Sequence, residues 1–120
     1  MSKKIKKVKK FCFDIDGVIC STKKNNYIKS KPKKKVISMI NKLYETNYII
    51  IFTSRYMGRN KDNSKKAQKQ GYKKTFNQLN KWGLKFDKLK FGKPSYDVFV
   101  DDKNFSYKKN WMNSFKKKFL

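Results

Sequence analysis

Four of the chain's eight acidic residues stand as two pairs at the ends of apolar runs. Asp14 and Asp16 close the run FCFDIDG at 11–17, and Asp101 and Asp102 follow the run DVFV at 97–100. A carboxylate at the end of a buried strand lowers stability by several kcal/mol unless a cation or hydrogen bonds compensate it. The placement of both pairs therefore predicts a bound cation or a reaction.

The spacing of the first pair suits two different chemical roles for its carboxylates. Asp14 and Asp16 project from the same face while the chain is extended, and Gly17 allows a tight turn after them. One carboxylate can attack an electrophile while the other holds or transfers a proton, provided that a cation limits their mutual repulsion. Asp101 and Asp102 would complete an all-oxygen site, which favours Mg²⁺ over zinc. The chain has no histidine, which also argues against zinc and against Ser-His catalysis.

Short runs rich in aromatic and β-branched residues predict the strands that carry these groups, at 8–14, 48–53, 89–91 and 98–101. Helical spacing of apolar residues predicts a helix between Pro32 and Asn47, and a second that begins near 62–64 and ends at Gly83. A third amphipathic helix is predicted near the carboxyl terminus, with Trp111, Met112, Phe115 and Phe119 on its apolar face. We expect that face to pack on the sheet, with an anionic membrane surface as the alternative.

This order of elements predicts an α/β fold in one domain, residues 1–120, with a central parallel sheet covered by helices on both faces. The carboxyl ends of parallel strands gather at one edge, where ligands bind in such folds. Asp14, Thr53 and Asp101 are therefore expected to converge. Cys12 and Cys20 are expected to be small buried hydrophobes.

Four short motifs together carry a resemblance to a known family. The motifs FDIDGV at 13–18, IIFTSR at 50–55, GKP at 92–94 and VDD at 100–102 resemble the four motifs of haloacid dehalogenase-like (HAD) phosphohydrolases in order and spacing. The resemblance spans about 90 residues. It implies a three-layer, Rossmann-like HAD fold and magnesium-dependent hydrolysis of phosphomonoesters through an aspartyl-phosphate.

The resemblance also implies roles for single residues. Asp14 would be the nucleophile, and Asp16 would protonate the leaving group and then activate water. Thr53 would hold a phosphoryl oxygen, and Lys93 would steady the nucleophile and the transferring group. Magnesium would bind the Asp14 side chain, the Asp16 carbonyl oxygen and an acid of the last motif. Asp102 would be the direct ligand, and Asp101 would contact the metal through water or lie in its second coordination sphere. The implied substrate-binding set is Thr53, Ser54, Arg55, Arg59 and Lys93.

Arg55 and Arg59 are the only arginines in the chain and follow Thr53 closely. Arginine presents a planar fork that suits phosphate or carboxylate. Two alternatives stay open for each: contact with substrate, or a structural ion pair.

The chain lacks an insertion large enough for the cap domain that many HAD-like enzymes carry. An open site can accept a phosphate on a bulky substrate, or a neighbouring subunit can close it in a homo-oligomer. The capless pattern, with FTSR and GKPSYD, is most similar to bacterial phosphatases of capsule and surface-polysaccharide biosynthesis. That likeness implies a phosphorylated sugar or a related small metabolite as substrate.

Two other functions stay open. A nucleotide or polynucleotide phosphatase would use the net charge of +25 to attract a polyanion, although lysines spread along the whole chain are also what an AT-rich genome would encode. A binding or scaffold protein without turnover is the third hypothesis, against which the intact Asp14 and Asp16 argue. The absence of a secretory pattern and of a long apolar stretch predicts a cytoplasmic protein without a transmembrane segment.

Overall fold

The computed structural model describes residues 8–120 and shows a mixed α/β fold around a three-stranded parallel sheet. Strands β1 (Lys10–Phe13), β4 (Tyr48–Thr53) and β5 (Lys88–Phe91) lie in the order β1-β4-β5. Phe13 pairs with Ile51, and Thr53 pairs with Phe91, so the carboxyl ends of all three strands meet at one edge. A two-residue hairpin, β2 (Cys20–Ser21) with β3 (Lys31–Pro32), follows the first aspartate pair.

Three of the four predicted strands are confirmed within a few residues, whereas the fourth is wrong. Residues 98–101 form no strand, and Val98 and Val100 are 79% and 89% exposed. A parallel strand beside β1 or β5 would require the chain to return to the opposite edge of the sheet, which takes a connection of a dozen or more residues. Only six residues, 92–97, separate β5 from this segment, so its consecutive apolar residues do not join the sheet.

All three predicted helices are confirmed, with shifted ends. Helix α1 (Lys34–Tyr44) begins after Pro32, because Pro32 pairs with Cys20 in the hairpin. Helix α2 (Ser64–Lys81) begins where the Asn63 side chain accepts a hydrogen bond from the Lys66 amide, and it ends before Gly83, whose φ is +79°. Helix α3 is Trp111–Phe119.

The helices cover one face of the sheet. Because β1, β4 and β5 follow one another in the same direction, right-handed crossovers place α1 and α2 on the same side. The residues on that side are mostly buried, and they are Phe11, Phe13, Ile49, Ile51, Leu89 and Phe91. Helix α3 joins them there, since Phe115 packs against Phe11 and Phe13. The packing expected for this helix is thus confirmed.

Along each strand, residues of the buried face alternate with residues of the opposite face, which we call the outer face. Its residues are exposed or half-buried, and they are Lys10, Cys12, Tyr48, Ile50, Phe52, Lys88 and Lys90. The prediction that helices cover both faces, and with it a third layer, is therefore wrong for the described residues. The prediction of a buried Cys12 is also wrong, because this side chain points to the outer face and is exposed, while Cys20 is buried as expected. Within residues 8–120, no helix is long and apolar enough to cross a membrane.

Candidate functional site

Asp14 lies directly after β1 and has a cationic partner from the end of β5. Its Oδ2 atom is 3.6 Å from Lys93 Nζ, and its Oδ1 atom accepts a hydrogen bond of 2.8 Å from the Ile15 amide. The Lys93 amide in turn donates to the carbonyl oxygen of Thr53, at 3.2 Å. Hydrogen bonding at the carboxyl edge therefore holds the predicted nucleophile beside the predicted lysine.

Partial burial and mutual attraction shift the pKa values of Asp14 and Lys93. Burial raises the pKa of Asp14 above its ordinary 3.8, although the charge of Lys93 and the Ile15 amide act in the opposite direction. Burial acts to lower the pKa of Lys93, but a hydrogen bond with Tyr96 and the charge of Asp14 outweigh it, so the pKa of Lys93 is raised. Lys93 is thus protonated at neutral pH beside a carboxylate that bears a desolvation cost.

Asp16 has a different cation from Asp14. The Arg55 guanidinium binds it in a fork, with Nη2 at 2.9 Å from Oδ1 and Nε at 3.0 Å from Oδ2. Arg55 is 2% exposed, whereas the Asp16 side chain keeps 27% of its surface accessible. Asp14 and Asp16 therefore pair with different cations, although the charge of Asp16 still acts to raise the pKa of Asp14.

The two oxygens of Asp16 differ in how many bonds they accept. Oδ1 accepts from Arg55, from the Thr22 hydroxyl at 2.5 Å and from the Cys20 thiol at 3.5 Å. Among the contacts of residues 8–120, Oδ2 accepts only from Arg55 Nε. A carboxylate oxygen has two lone pairs, so Oδ2 can accept a further hydrogen bond.

Arg55 uses its remaining donors on protein groups. Nη1 donates to Gln78 Oε1 at 2.6 Å and lies 3.5 Å from the Thr75 hydroxyl, and the guanidinium stacks 4.8 Å from the Tyr27 ring centre. This geometry matches the ion-pair alternative for Arg55. As the side chain lies, it presents no donor to a substrate.

Arg59 lies on the outside of the same cluster. Its guanidinium is 5.7 Å from the Tyr27 ring and 4.8 Å from the Tyr56 ring, and it is exposed. Nη2 also reaches the carbonyl oxygen of Asn25 at 3.5 Å, which links the loop after Thr53 to the loop after the first aspartate pair. In this structure Arg59 has no carboxylate partner among the described residues, so its cation remains available to an anion.

Thr53 and Ser54 follow β4 at the centre of the carboxyl edge. The Thr53 side chain is fully buried, and its hydroxyl oxygen accepts a hydrogen bond of 3.0 Å from the Arg55 amide. Ser54 is half-buried, and its carbonyl oxygen accepts from the Met57 amide. Both residues help to build the turn that brings Arg55 back to Asp16.

Asp101 and Asp102 do not join the other two aspartates. Both are exposed in the irregular segment between β5 and α3, where Asp101 Oδ1 accepts from the Lys103 amide at 3.0 Å. That bond and the hydrogen bond with Asp102 lower the pKa of Asp101. The expected convergence of Asp14, Thr53 and Asp101 is therefore met by Asp14 and Thr53 alone, because the fourth strand that should carry Asp101 does not form.

The donor atoms do not yet fit a magnesium site. Within residues 8–120, no group of three or more His, Cys, Asp or Glu side chains is close enough to hold a metal ion. The Asp14 oxygens already contact Lys93 and the Ile15 amide, and the Asp16 carboxylate is bound by Arg55. Asp14 is an oxygen donor of the kind that magnesium prefers, but among residues 8–120 Asp101 and Asp102 do not complete a group of three with it.

Several contributors to the site were not predicted from the sequence. Thr22 and Gln78 hold Asp16 and Arg55, and the Tyr107 hydroxyl donates to the Gly17 carbonyl oxygen at 2.7 Å. Thr22 and Gln78 stand on the hairpin loop and on the buried side of α2, without a motif to mark them. The one available signal was that a buried arginine after β4 needs acceptors from neighbouring elements.

Comparisons with known proteins support the fold and leave the activity open. No family model matches the chain, and no curated protein matches it. A crystal structure of a Vibrio cholerae protein, designated only as a structure target, is similar to this chain with a TM-score of 0.75 and 21% identity. The match covers 92% of this chain and 99% of that one. At this identity the likeness extends to the α/β fold alone.

Proposed function

We propose that this protein is a capless HAD-like phosphatase, a magnesium-dependent hydrolase of phosphomonoesters that forms an aspartyl-phosphate. The observation that carries the proposal is the Asp14–Lys93 pair at the carboxyl edge of the parallel sheet, with Asp16 held two residues further on. The four-motif resemblance and the α/β fold also support it. The proposed substrate is a phosphorylated sugar or a related metabolite of surface-polysaccharide biosynthesis.

The proposed reaction has two displacements. Asp14 Oδ2, which is free of backbone bonds and faces Lys93, bonds to phosphorus while the bond from phosphorus to the ester oxygen breaks. Asp16 must enter this step protonated at Oδ2, and the ester oxygen takes that proton and leaves as an alcohol. Water then gives a proton to Asp16 while its oxygen bonds to phosphorus, and the bond to Asp14 breaks to release phosphate. Lys93 offsets the negative charge of the transferring group.

Hydrolysis of para-nitrophenyl phosphate tests the chemistry. We expect Asp14→Asn to reduce the rate to background, because an amide cannot form the aspartyl-phosphate. The matched control is Asp97→Asn, which removes the same charge from an exposed position and should leave the rate within about twofold. Hydrolysis that survives Asp14→Asn would exclude the mechanism, and inactivity of the unmodified protein on every phosphate ester would favour the scaffold hypothesis.

Magnesium is a separate part of the proposal. When bound, it would supply charge stabilisation of the transferring phosphoryl group. We expect EDTA to abolish hydrolysis and Mg²⁺ to restore it. Asp102→Asn should raise the Mg²⁺ concentration needed for half-maximal rate more than Asp101→Asn does, which requires the segment at 92–110 to approach Asp14. Equal rates with EDTA and with Mg²⁺ would remove the metal from the proposal.

A nucleotide or polynucleotide phosphatase is the second candidate, favoured by the net charge of +25. A panel of sugar phosphates, nucleotides and phosphorylated oligonucleotides separates the two by kcat/KM. Size-exclusion chromatography with light scattering on the same sample would test the predicted closure of the open site by a second subunit.

A further inference from the structure

None of the seven residues on the outer face of the sheet is acidic. Three of its seven residues are exposed lysines, Lys10, Lys88 and Lys90, and two are half-buried aromatics, Tyr48 and Phe52. A parallel sheet is normally covered on both sides, so an open face on one is unusual. The helices and the large buried core lie on the other side, and the composition of the outer face is what remains to be explained.

Each aromatic ring on this face has a lysine ammonium group over it. Lys10 Nζ lies 5.8 Å from the centre of the Tyr48 ring, and Lys90 Nζ lies 5.6 Å from the centre of the Phe52 ring. Tyr48 and Phe52 are four residues apart on β4, so their rings are separated by about 13 Å along the strand. The face therefore repeats one unit twice, an aromatic ring with an ammonium group over it.

This unit has the two parts that a nucleotide requires. Bases stack on aromatic side chains whatever their sequence, and lysines bind the phosphates that follow. A duplex keeps its bases stacked inside and would use only the lysines. A second copy of this chain is disfavoured on this face, because it would place the exposed lysines of two molecules against one another.

We infer that the outer face binds single-stranded nucleic acid, with bases stacked near Tyr48 and Phe52 and phosphates held by Lys10, Lys88 and Lys90. The inference does not depend on the proposed phosphatase activity, since none of these residues belongs to the Asp14 site.

Fluorescence anisotropy with a labelled 20-nucleotide oligothymidylate tests the binding. We expect log K to fall with log salt with a slope near −2, because each of three phosphate contacts contributes about −0.7 on a single strand. Polyglutamate carries charge without bases and should compete weakly. Competition by polyglutamate as strong as by unlabelled oligonucleotide would overturn the inference in favour of an acidic protein surface.

Two sets of variants separate stacking from diffuse attraction. Phe52→Leu and Tyr48→Leu keep apolar bulk on the strand, and each should weaken binding roughly fivefold or more. Replacing Lys10, Lys88 and Lys90 by Gln should flatten the salt slope, whereas replacing Lys35, Lys42 and Lys116 by Gln, on the helical side, should change it less. Equal loss in the two triple variants, or no loss in the leucine variants, would overturn the inference. Circular dichroism checks that each variant is folded.

Cys12 provides a direct footprint. It is exposed in the middle of the outer face, while the other thiol, Cys20, is buried. Saturating oligonucleotide should slow alkylation of Cys12 by N-ethylmaleimide at least severalfold, and an unchanged rate at saturation would place the nucleic acid elsewhere. Asp14→Asn should leave oligonucleotide binding intact, so a failure of the phosphatase proposal and a failure of this one are distinguishable. Because the charge of Asp14 acts on the Cys12 thiol, alkylation of this variant is compared with and without oligonucleotide and not with the unmodified protein.

Discussion

At the scale of single residues, each of the two aspartates has its own cation. Lys93 reaches Asp14 from the end of β5, and Arg55 reaches Asp16 from the turn after β4. In the proposed mechanism Asp14 attacks phosphorus while Arg55 holds Asp16 in place, and the two side chains are similarly accessible, at 30% and 27%. The desolvation of Asp14 lowers the free energy of unfolding, as is common at functional sites.

That cost predicts how stability depends on pH. Burial raises the pKa of Asp14 in the folded state, so the folded protein binds more protons than the unfolded chain between pH 3.8 and that raised pKa. The contribution of Asp14 therefore falls as pH rises through this window and stays unfavourable above it. We expect Asp14→Asn to unfold at a higher temperature than the unmodified protein at pH 7.

The control for this prediction is the same comparison at acid pH. Below pH 3.8 Asp14 is protonated in both states, so the two melting temperatures, measured by differential scanning calorimetry, should approach one another. An Asp14→Asn variant that is less stable at pH 7 would show that the ion pair with Lys93 outweighs the burial of the carboxylate.

Arg55 leads to a second prediction at this scale. Arg55→Met removes a buried cation and leaves Asp16 without its main partner, and breaking a buried ion pair lowers the free energy of unfolding by about 3–5 kcal/mol. We expect a loss toward the lower end, since the Asp16 side chain is 27% exposed. Urea unfolding measures it.

The matched double variant, Arg55→Met with Asp16→Asn, should recover part of that stability because no unpaired charge remains. A double variant as unstable as the sum of the single ones would assign the effect to lost packing against Tyr27 and Gln78 instead.

At the scale of elements, the contact between α2 and the turn after β4 controls where Arg55 points. Tyr56 is buried with a φ of +67°, a conformation that is strained for a residue with a side chain. Its ring lies against Gly71 of α2, where a Cβ atom would come within 2.2 Å of two ring carbons. The glycine in the middle of this helix is therefore explained by the close approach of Tyr56.

Gly71→Ala is predicted to destabilise the protein, although alanine is the better helix former by about 1 kcal/mol. The ring of Tyr56 would have to move, and with it the turn that carries Arg55. Lys73→Ala at an exposed position of the same helix is the matched control and should change the free energy of unfolding by less than about 0.5 kcal/mol. In a Tyr56→Gly background the sign of Gly71→Ala should reverse, and a loss that persists there would contradict this explanation.

At the scale of the whole molecule, one aromatic cluster fastens the carboxyl-terminal helix to the sheet. Phe115 is 4% exposed and contacts the rings of Phe11, Phe13, Phe105, Trp111 and Phe119. Because Phe105 belongs to the segment that carries Asp101 and Asp102, the cluster also restrains the predicted metal ligands.

Phe115→Ala should lower the free energy of unfolding by about 3–5 kcal/mol through the cavity it leaves. Phe115→Leu should cost less, since it fills more of that space, and Phe99→Ala is the control for an aromatic ring that is 44% exposed. Chemical denaturation of the three variants measures the differences, and similar losses for Phe115→Ala and Phe99→Ala would contradict the role of the cluster.

The sequence by itself determined the elements whose signals are local. The run at 48–53 became β4 with unchanged bounds, and the helical spacing of Trp111, Phe115 and Phe119 became α3. The positions of Asp14 and Thr53 at strand ends also followed, because parallel strands end at a common edge. Hydrophobic periodicity and turn residues suffice for such features.

Only the tertiary structure decided which groups meet. Asp16 binds Arg55 across 39 positions, and Thr22 and Gln78 join them from two other elements. Periodicity at 98–101 suggested a strand, but the six residues after β5 are too few for a parallel crossover, so Asp101 and Asp102 stay apart from Asp14. The open outer face has the same origin: the order β1-β4-β5 puts both crossover helices on one side, and strand order is a long-range property that local patterns do not encode.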